Sequence, residues 1–225
     1  MSGPDAAPYD VVLLDLDGTI IDSEPGVFSA VRYGLVEGLG ITPTTAQLEE
    51  FMGPPLDDVM PRVFGITDPA DIRRFFDCYC EAYFHGTEYE YDVYPGMLEL
   101  IEQLHASGVR LVLATAKPQE SATRILEHAG VADRFDFVAG SETDGSRQDK
   151  ADVIEHAFTE IEADGSTHRI VMVGDRALDI HAATSHGVDS IAVEWGYAPA
   201  GELDECGATH RVADAAQLKA LLLPE

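Results

Sequence analysis

Val11-Val12-Leu13-Leu14 is an unbroken apolar run that stops at Asp15. A run without alternation predicts a strand buried on both faces, as in parallel sheets. Runs of the same kind recur at 110–115, 135–139 and 170–173, with a weaker one at 190–193. Between them the apolar positions take helical spacing. Leu98, Ile101 and Leu104 close at Gly108; Ala122, Ile125, Leu126 and Ala129 close at Gly130; Val153, Ile154, Ala157 and Ile161 form a third set. Strand alternating with helix predicts βαβ units and an α/β, Rossmann-like parallel-sheet core. In such sheets ligands sit beyond the carboxyl ends of the strands. The polar clusters Asp15-Leu16-Asp17, Thr115-Ala116-Lys117 and Asp175 fall at those ends.

The alternation is interrupted once. Between about 22 and 93 no buried strand run occurs, and helical patterns replace it: Val27, Val31 and Leu35, then Ile72, Phe75, Phe76 and Tyr79. Gly53-Pro54-Pro55 marks a stiff loop within this stretch. The reading is a core of 1–21 and 94–225 with an inserted α-helical cap at 22–93. A chain of 225 residues has room for that arrangement, at roughly 150 residues per domain.

Composition narrows the function classes. A hydrophobic fraction of 45% excludes a largely disordered chain. The net charge of −27 argues against nucleic acid and anionic membranes as partners, because both are bound mainly through Lys and Arg. No stretch approaches the apolar length of a membrane span, and Met-Ser-Gly-Pro-Asp lacks the features of a signal peptide. Cys78, Cys80 and Cys206 have no zinc-type spacing and read as reduced thiols of a cytoplasmic protein. Only three lysines exist, Lys117, Lys150 and Lys219, so a lysine inside the chain invites a chemical reason.

Asp15-Leu16-Asp17-Gly18-Thr19 leaves two carboxylates at the end of a buried strand. Two anions held together are costly unless a cation joins them. A hard ion such as Mg²⁺, which takes few carboxylates and keeps several waters, suits this supply. The plainer alternative is a strand followed by an Asp-rich turn.

Asp15-Leu16-Asp17-Gly18-Thr19 also resembles the first motif of the haloacid dehalogenase superfamily of phosphohydrolases. Thr115 at a strand end is similar to its second motif, Lys150 opening a helix to its third, and Gly174-Asp175 with Asp179 to its fourth. The insertion resembles the helical cap of the phosphoglycolate-phosphatase-like branch. Asp144-Gly145-Ser146-Arg147, Val173-Gly174-Asp175-Arg176 and Glu194-Trp195-Gly196-Tyr197 resemble a bacterial subgroup described variously as phosphoglycolate phosphatases, 5′-nucleotidases or hydrolases.

The resemblance implies a role for each position. Asp15 is the nucleophile and a metal ligand, and Asp17 is the general acid and base with its main-chain carbonyl on Mg²⁺. Asp175 completes the metal ligands. Asp179 either orients the site from behind or is an ordinary surface acid. Thr115 and the N–H groups after it cradle phosphoryl oxygens at a helix start, and Lys150 supplies fixed positive charge. Ala116 stands where the family commonly has Asn or Ser, so its backbone N–H alone is available to substrate. Lys117 reads equally as a substrate contact or a solvated loop lysine. Arg147 and Arg176 are weighed the same way, with pairing to surface acids favoured. His181 and His186 show no metal-ligand spacing.

In the cap, Gly53 and Pro54 are candidates to lean over substrate. Its cations are Arg32, Arg62, Arg73, Arg74 and His85; Phe28, Tyr33 and Phe51 are aromatics that either stack on a base or belong to the core. The implied activity is hydrolysis of a small phosphate ester by a monomer or homodimer. A phosphotransferase passing the group to a tyrosine or sugar is the rival. A dehalogenase does not use the Asp17 acid, and a non-catalytic relative is expected to have lost a motif residue.

Overall fold

The computed structural model describes residues 8–52, 56–142, 147 and 149–224. In chain order the elements are β1 (Val11–Leu14), β2 (Ile21–Asp22), α1 (Glu24–Leu39), α2 (Thr45–Glu49), α3 (Leu56–Phe64), α4 (Pro69–Phe84), β3 (Asp92–Val93), α5 (Met97–Ala106), β4 (Arg110–Pro118), α6 (Gln119–Ala129), β5 (Phe137–Ser141), α7 (Lys150–Glu160), β6 (Ile170–Gly174), α8 (Ala177–Ser185), β7 (Asp189–Val193), α9 (Glu202–Glu205), β8 (His210–Val212) and α10 (Ala215–Leu222). The described residues divide into two compact units. One holds those up to Asp22 and from Val93 onward; the other is Ser23–Asp92.

The first unit is an α/β fold built on six parallel strands in the order β5-β4-β1-β6-β7-β8. β1 lies in the middle, with Val11 opposite Arg110 on one side and Ile170 on the other. Its four side chains are at most 1% exposed, so both faces of the sheet are covered. Val11 and Leu13 join Val112, Ala139 and Met172 against Val153, Ile154 and Ala157 of α7 and Ala183 of α8. Val12 and Leu14 point to the opposite face by the two-residue alternation of a strand. Strands run to one side of β1 as β4 and β5 and to the other as β6, β7 and β8. That is the reversal of strand order at which ligands gather in open sheets.

The strands beginning at Val11, Arg110, Ile170 and Asp189 agree with the apolar runs, and Gly108 and Gly130 close α5 and α6 in left-handed backbone. Three C-terminal elements, β8, α9 and α10, are additions to that reading. His210-Arg211-Val212 has a single buried side chain, Val212, so an edge strand of this length leaves no apolar run to detect.

The second unit is helical, and its core is aromatic. Phe51 meets Phe64 and Phe75 at ring-centroid distances of 6.0 and 5.9 Å, and Phe75 meets Phe76 and Tyr79. Phe51 is therefore core, with Phe28 packed against the same cluster. Of the cap aromatics weighed as base-stacking groups, only Tyr33 is exposed. Among the cap cations, Arg62 pairs with Glu50 and Arg74 with Asp71; the His85 Nδ1 lies 2.8 Å from the Glu81 carbonyl, while Arg32 and Arg73 are exposed. Gly53 and Pro54 lie outside the described residues, as does Asp144-Gly145-Ser146.

Candidate active site

β1 delivers Asp15 to the carboxyl edge of the sheet, where its N–H still donates to the Val173 carbonyl at 2.9 Å. The chain then turns at once. Ile20 N–H returns to the Leu16 carbonyl, and Gly18 takes φ +78°, a left-handed conformation that glycine adopts without strain. Gly18 is also required for space: a Cβ there would fall 2.2 Å from Oδ2 of Asp175. The turn thus lets the β6 carboxylate approach the β1 carboxylates.

Four side chains converge. Lys150, the first residue of α7, places Nζ 2.7 Å from Asp15 Oδ1 and 2.8 Å from Asp179 Oδ1. Carboxylate oxygens of Asp15, Asp175 and Asp179 all lie within 4.8 Å of one another, and all three residues are buried. Asp179 reaches the cluster from the first turn of α8, with Oδ2 accepting the Arg176 N–H at 3.0 Å. Asp17 stands beside this group and is paired with Lys117, Nζ to Oδ2 3.3 Å. Its other oxygen, Oδ1, and Oδ1 of Asp175 are buried atoms with no hydrogen-bond partner among the described residues.

Electrostatics follow from that packing. Burial pushes the Asp15 carboxyl up to about 6; Asp179 and Asp17 add to the rise, while Lys150 opposes it. Asp175 is pushed further, to about 8, by burial and then by the charges of Asp15 and Asp179. Burial works against the Lys150 ammonium, but the carboxylates of Asp15 and Asp179 outweigh it and hold the lysine above its ordinary value. One buried cation faces three buried acids. A cluster of this composition is short of positive charge, and the bare Oδ1 of Asp175 is where a hard divalent ion fits.

Thr115 lies near the carboxyl end of β4. It is buried, and the strand runs on to Pro118 before α6 begins. Register breaks between Ala114, opposite Ala139, and Pro118, opposite Ser141. Thr115, Ala116 and Lys117 therefore form a bulge, and α6 starts only at Gln119. Within the bulge the Lys117 N–H donates to Thr115 Oγ1 at 3.2 Å, and Ala116 is exposed. Lys117, within this stretch, is the residue whose Nζ pairs with Asp17.

The arginines near the motifs hold loops. Arg147 donates to the Gly140 carbonyl, to Gln119 and to Glu142. Arg176 makes a two-point contact with Glu202, at 2.9 and 3.1 Å. His186 packs on Phe158 and reaches the Ala151 carbonyl.

Sequence reasoning missed the contribution of the segment after β7. Tyr197 N–H donates to Asp175 Oδ2 at 2.6 Å, and Gly196 passes so close that a Cβ would meet that oxygen at 2.4 Å. The signal available was position: Glu194-Trp195-Gly196-Tyr197 directly follows a strand at its carboxyl end.

The chain belongs to the haloacid dehalogenase-like hydrolase family, whose model matches residues 12–193. Within that family of enzymes it falls in the phosphoglycolate-phosphatase-like branch. It is 35% identical over 208 residues to the tyrosine-protein kinase PtkA of Mycobacterium tuberculosis, covering 92% of this chain and 69% of that one. It is 35% identical over 219 residues to a 5′-nucleotidase of Pseudomonas aeruginosa, covering 96% and 97%. The crystal structure of a putative phosphatase from Clostridium difficile superposes with a TM-score of 0.89 at 33% identity, covering 96% of this chain and 99% of that one. No helix among the described residues is long and apolar enough to cross a membrane.

Proposed function

We propose that the protein is a Mg²⁺-dependent phosphomonoester hydrolase that acts on a small phosphorylated metabolite through an aspartyl-phosphate on Asp15. The observation that carries this reading is the buried cluster of Asp15, Asp175 and Asp179 around Lys150, with Asp175 Oδ1 left bare. Asp15, Asp175 and the Asp17 main-chain carbonyl would hold the ion, which when bound supplies positive charge opposite the phosphoryl oxygens.

The chain's own residues account for the proton and bond changes. A carboxylate oxygen of Asp15 attacks phosphorus, the ester P–O bond breaks, and Asp17 gives its proton to the departing alcohol. Asp17 then takes a proton from water as that water attacks the aspartyl-phosphate. The P–O bond to Asp15 breaks, releasing inorganic phosphate and restoring both acids. Lys150 keeps Asp15 oriented and offsets charge on the phosphoryl group. Thr115, the backbone of Ala116 and the side chain of Lys117 are the groups for substrate's phosphate edge, with Lys117 leaving Asp17 as the substrate arrives. The net charge of −27 favours small esters over large polyanions.

The test is phosphate release from phosphoglycolate, nucleoside 5′-monophosphates, sugar phosphates and phosphotyrosine. Release from at least one of them, abolished by EDTA and restored by Mg²⁺, is the expected result. No release from any sinks the reading. The likeness to a protein named a tyrosine kinase favours one rival, transfer to a protein tyrosine. A phosphorylated acceptor in place of free phosphate would establish it.

Metal binding also has a pH signature. In the metal-free protein Asp15 and Asp175 are pushed up to about 6 and about 8, so between the ordinary carboxylate range and pH 8 the folded state holds protons that the unfolded chain has lost. Stability therefore falls as pH rises through that window. Mg²⁺ needs the ionised carboxylates, and at about pH 5.5 it must displace those protons. The rise in Tm on adding Mg²⁺ is expected to be larger at about pH 8.5 than at about pH 5.5. Equal shifts would place the ion elsewhere.

A further inference from the structure

The segment between β7 and α9 is pinned at both ends and in the middle. At its start the Glu194 N–H donates to the Val212 carbonyl. The indole Nε1 of Trp195 then donates to the Thr19 carbonyl at 3.1 Å, inside the turn that follows Asp17. Gly196 lies against the same turn, where a Cβ would meet the Gly18 carbonyl oxygen at 2.4 Å. Tyr197 donates twice, its N–H to Asp175 Oδ2 at 2.6 Å and its hydroxyl to Asp22 Oδ1 at 2.7 Å. At the far end Glu202 takes the Arg176 guanidinium and the Ala177 N–H.

Asp175 is consequently sandwiched between two glycine backbones, Gly18 and Gly196, and one of its oxygens is committed to a peptide N–H. Which oxygen faces the cluster is set by where that N–H stands. The N–H belongs to a residue whose aromatic ring is a rigid lever, anchored at its tip by a hydrogen bond to a carboxylate.

We infer that Tyr197 is a positioning residue for the metal site: its hydroxyl, held by Asp22, fixes the peptide N–H that keeps Asp175 Oδ1 free and aimed at the cluster. This rests on the reading of Asp175 as a ligand for Mg²⁺. Partners that orient ligating carboxylates commonly matter to metal affinity by 10-fold or more.

The test is a calorimetric Mg²⁺ titration of the full chain, read as the half-saturating concentration, with no substrate present. Asp175→Asn serves as the reference. Tyr197→Phe is expected to raise the half-point about 10-fold, with kcat at saturating Mg²⁺ changed much less. Asp22→Ala removes the same bond from the other side, so either variant decides if one folds poorly. The double variant is expected to be no worse than the worse single. A lower metal-free Tm with an unmoved half-point in both singles would show the bond to be merely structural and overturn the inference. If the wild type shows no Mg²⁺ binding that Asp175→Asn removes, the metal-site reading itself fails, and the inference with it.

Discussion

Asp15→Asn is expected to reduce phosphate release by about 10³-fold or more while leaving the metal-free protein at least as stable as the wild type. The first effect follows from chemistry, since a carboxamide oxygen is a poor nucleophile and nothing else in the cluster is placed on β1 to replace it. The second follows from burial. Asp15 is pushed up to about 6, so near neutral pH its ionised form is held against its preference. An amide of the same shape removes that charge, and Lys150 keeps Asp179 at 2.8 Å. Phosphate release together with thermal melts in EDTA checks both parts. Activity within tenfold of the wild type would remove Asp15 from the nucleophile's role. A large fall in metal-free Tm would mean that its carboxylate is chiefly a structural partner for Lys150.

Lys150→Met is expected to act in the opposite sense on stability. The methionine preserves most of the volume but leaves Asp15, Asp175 and Asp179 facing one another without their cation. Breaking a buried ion pair from one side costs about 3–5 kcal/mol, because the remaining charge is uncompensated. The cost depends on pH. Without the lysine Asp15 and Asp175 lose the charge that lowers them and are pushed up further, so the folded variant binds protons that its unfolded chain does not, and its stability falls as pH rises. Urea denaturation in EDTA is expected to show a greater penalty at about pH 8 than at about pH 5.5. A penalty independent of pH would assign the loss to packing. Turnover is expected to be lost as well, since Lys150 offsets charge on the transferring phosphoryl group.

The two lysines illustrate what a sequence does and does not reveal. Lys150 was legible because it is one of three lysines, stands at the head of a helical pattern and follows the motif order of a known family. Lys117 reads only as a substrate contact or a solvated loop lysine; its pairing with Asp17 joins positions far apart in sequence, and no residue type in Thr115-Ala116-Lys117 announces the register shift between Ala114 and Pro118. Strands buried on both faces are conspicuous as apolar runs, so the central sheet could be read directly. The edge strand β8 buries one side chain and left no such trace. Phe51 and Phe28 show a related limit: an aromatic in a small helical unit has the same identity whether it stacks on a ligand or fills a core. Tyr197 acts on Asp175 through its peptide N–H, and backbone donors carry no mark in the sequence.

The central place of β1 also bears on how the protein is made. β1 leaves the ribosome before either of its partners, because β4 and β6 begin about 100 and about 160 residues later. At roughly 5–20 residues per second, Val11-Val12-Leu13-Leu14 waits on the order of ten seconds before both neighbours exist. During that time an apolar segment with two unpaired edges is exposed, and closing such long loops makes parallel sheets slow to assemble. The strand carrying Asp15 is synthesised before both its neighbours and is secured only after them. Refolding yield should therefore fall with protein concentration, and chaperone dependence is expected to lie in β1 more than in the self-contained helices of Ser23–Asp92.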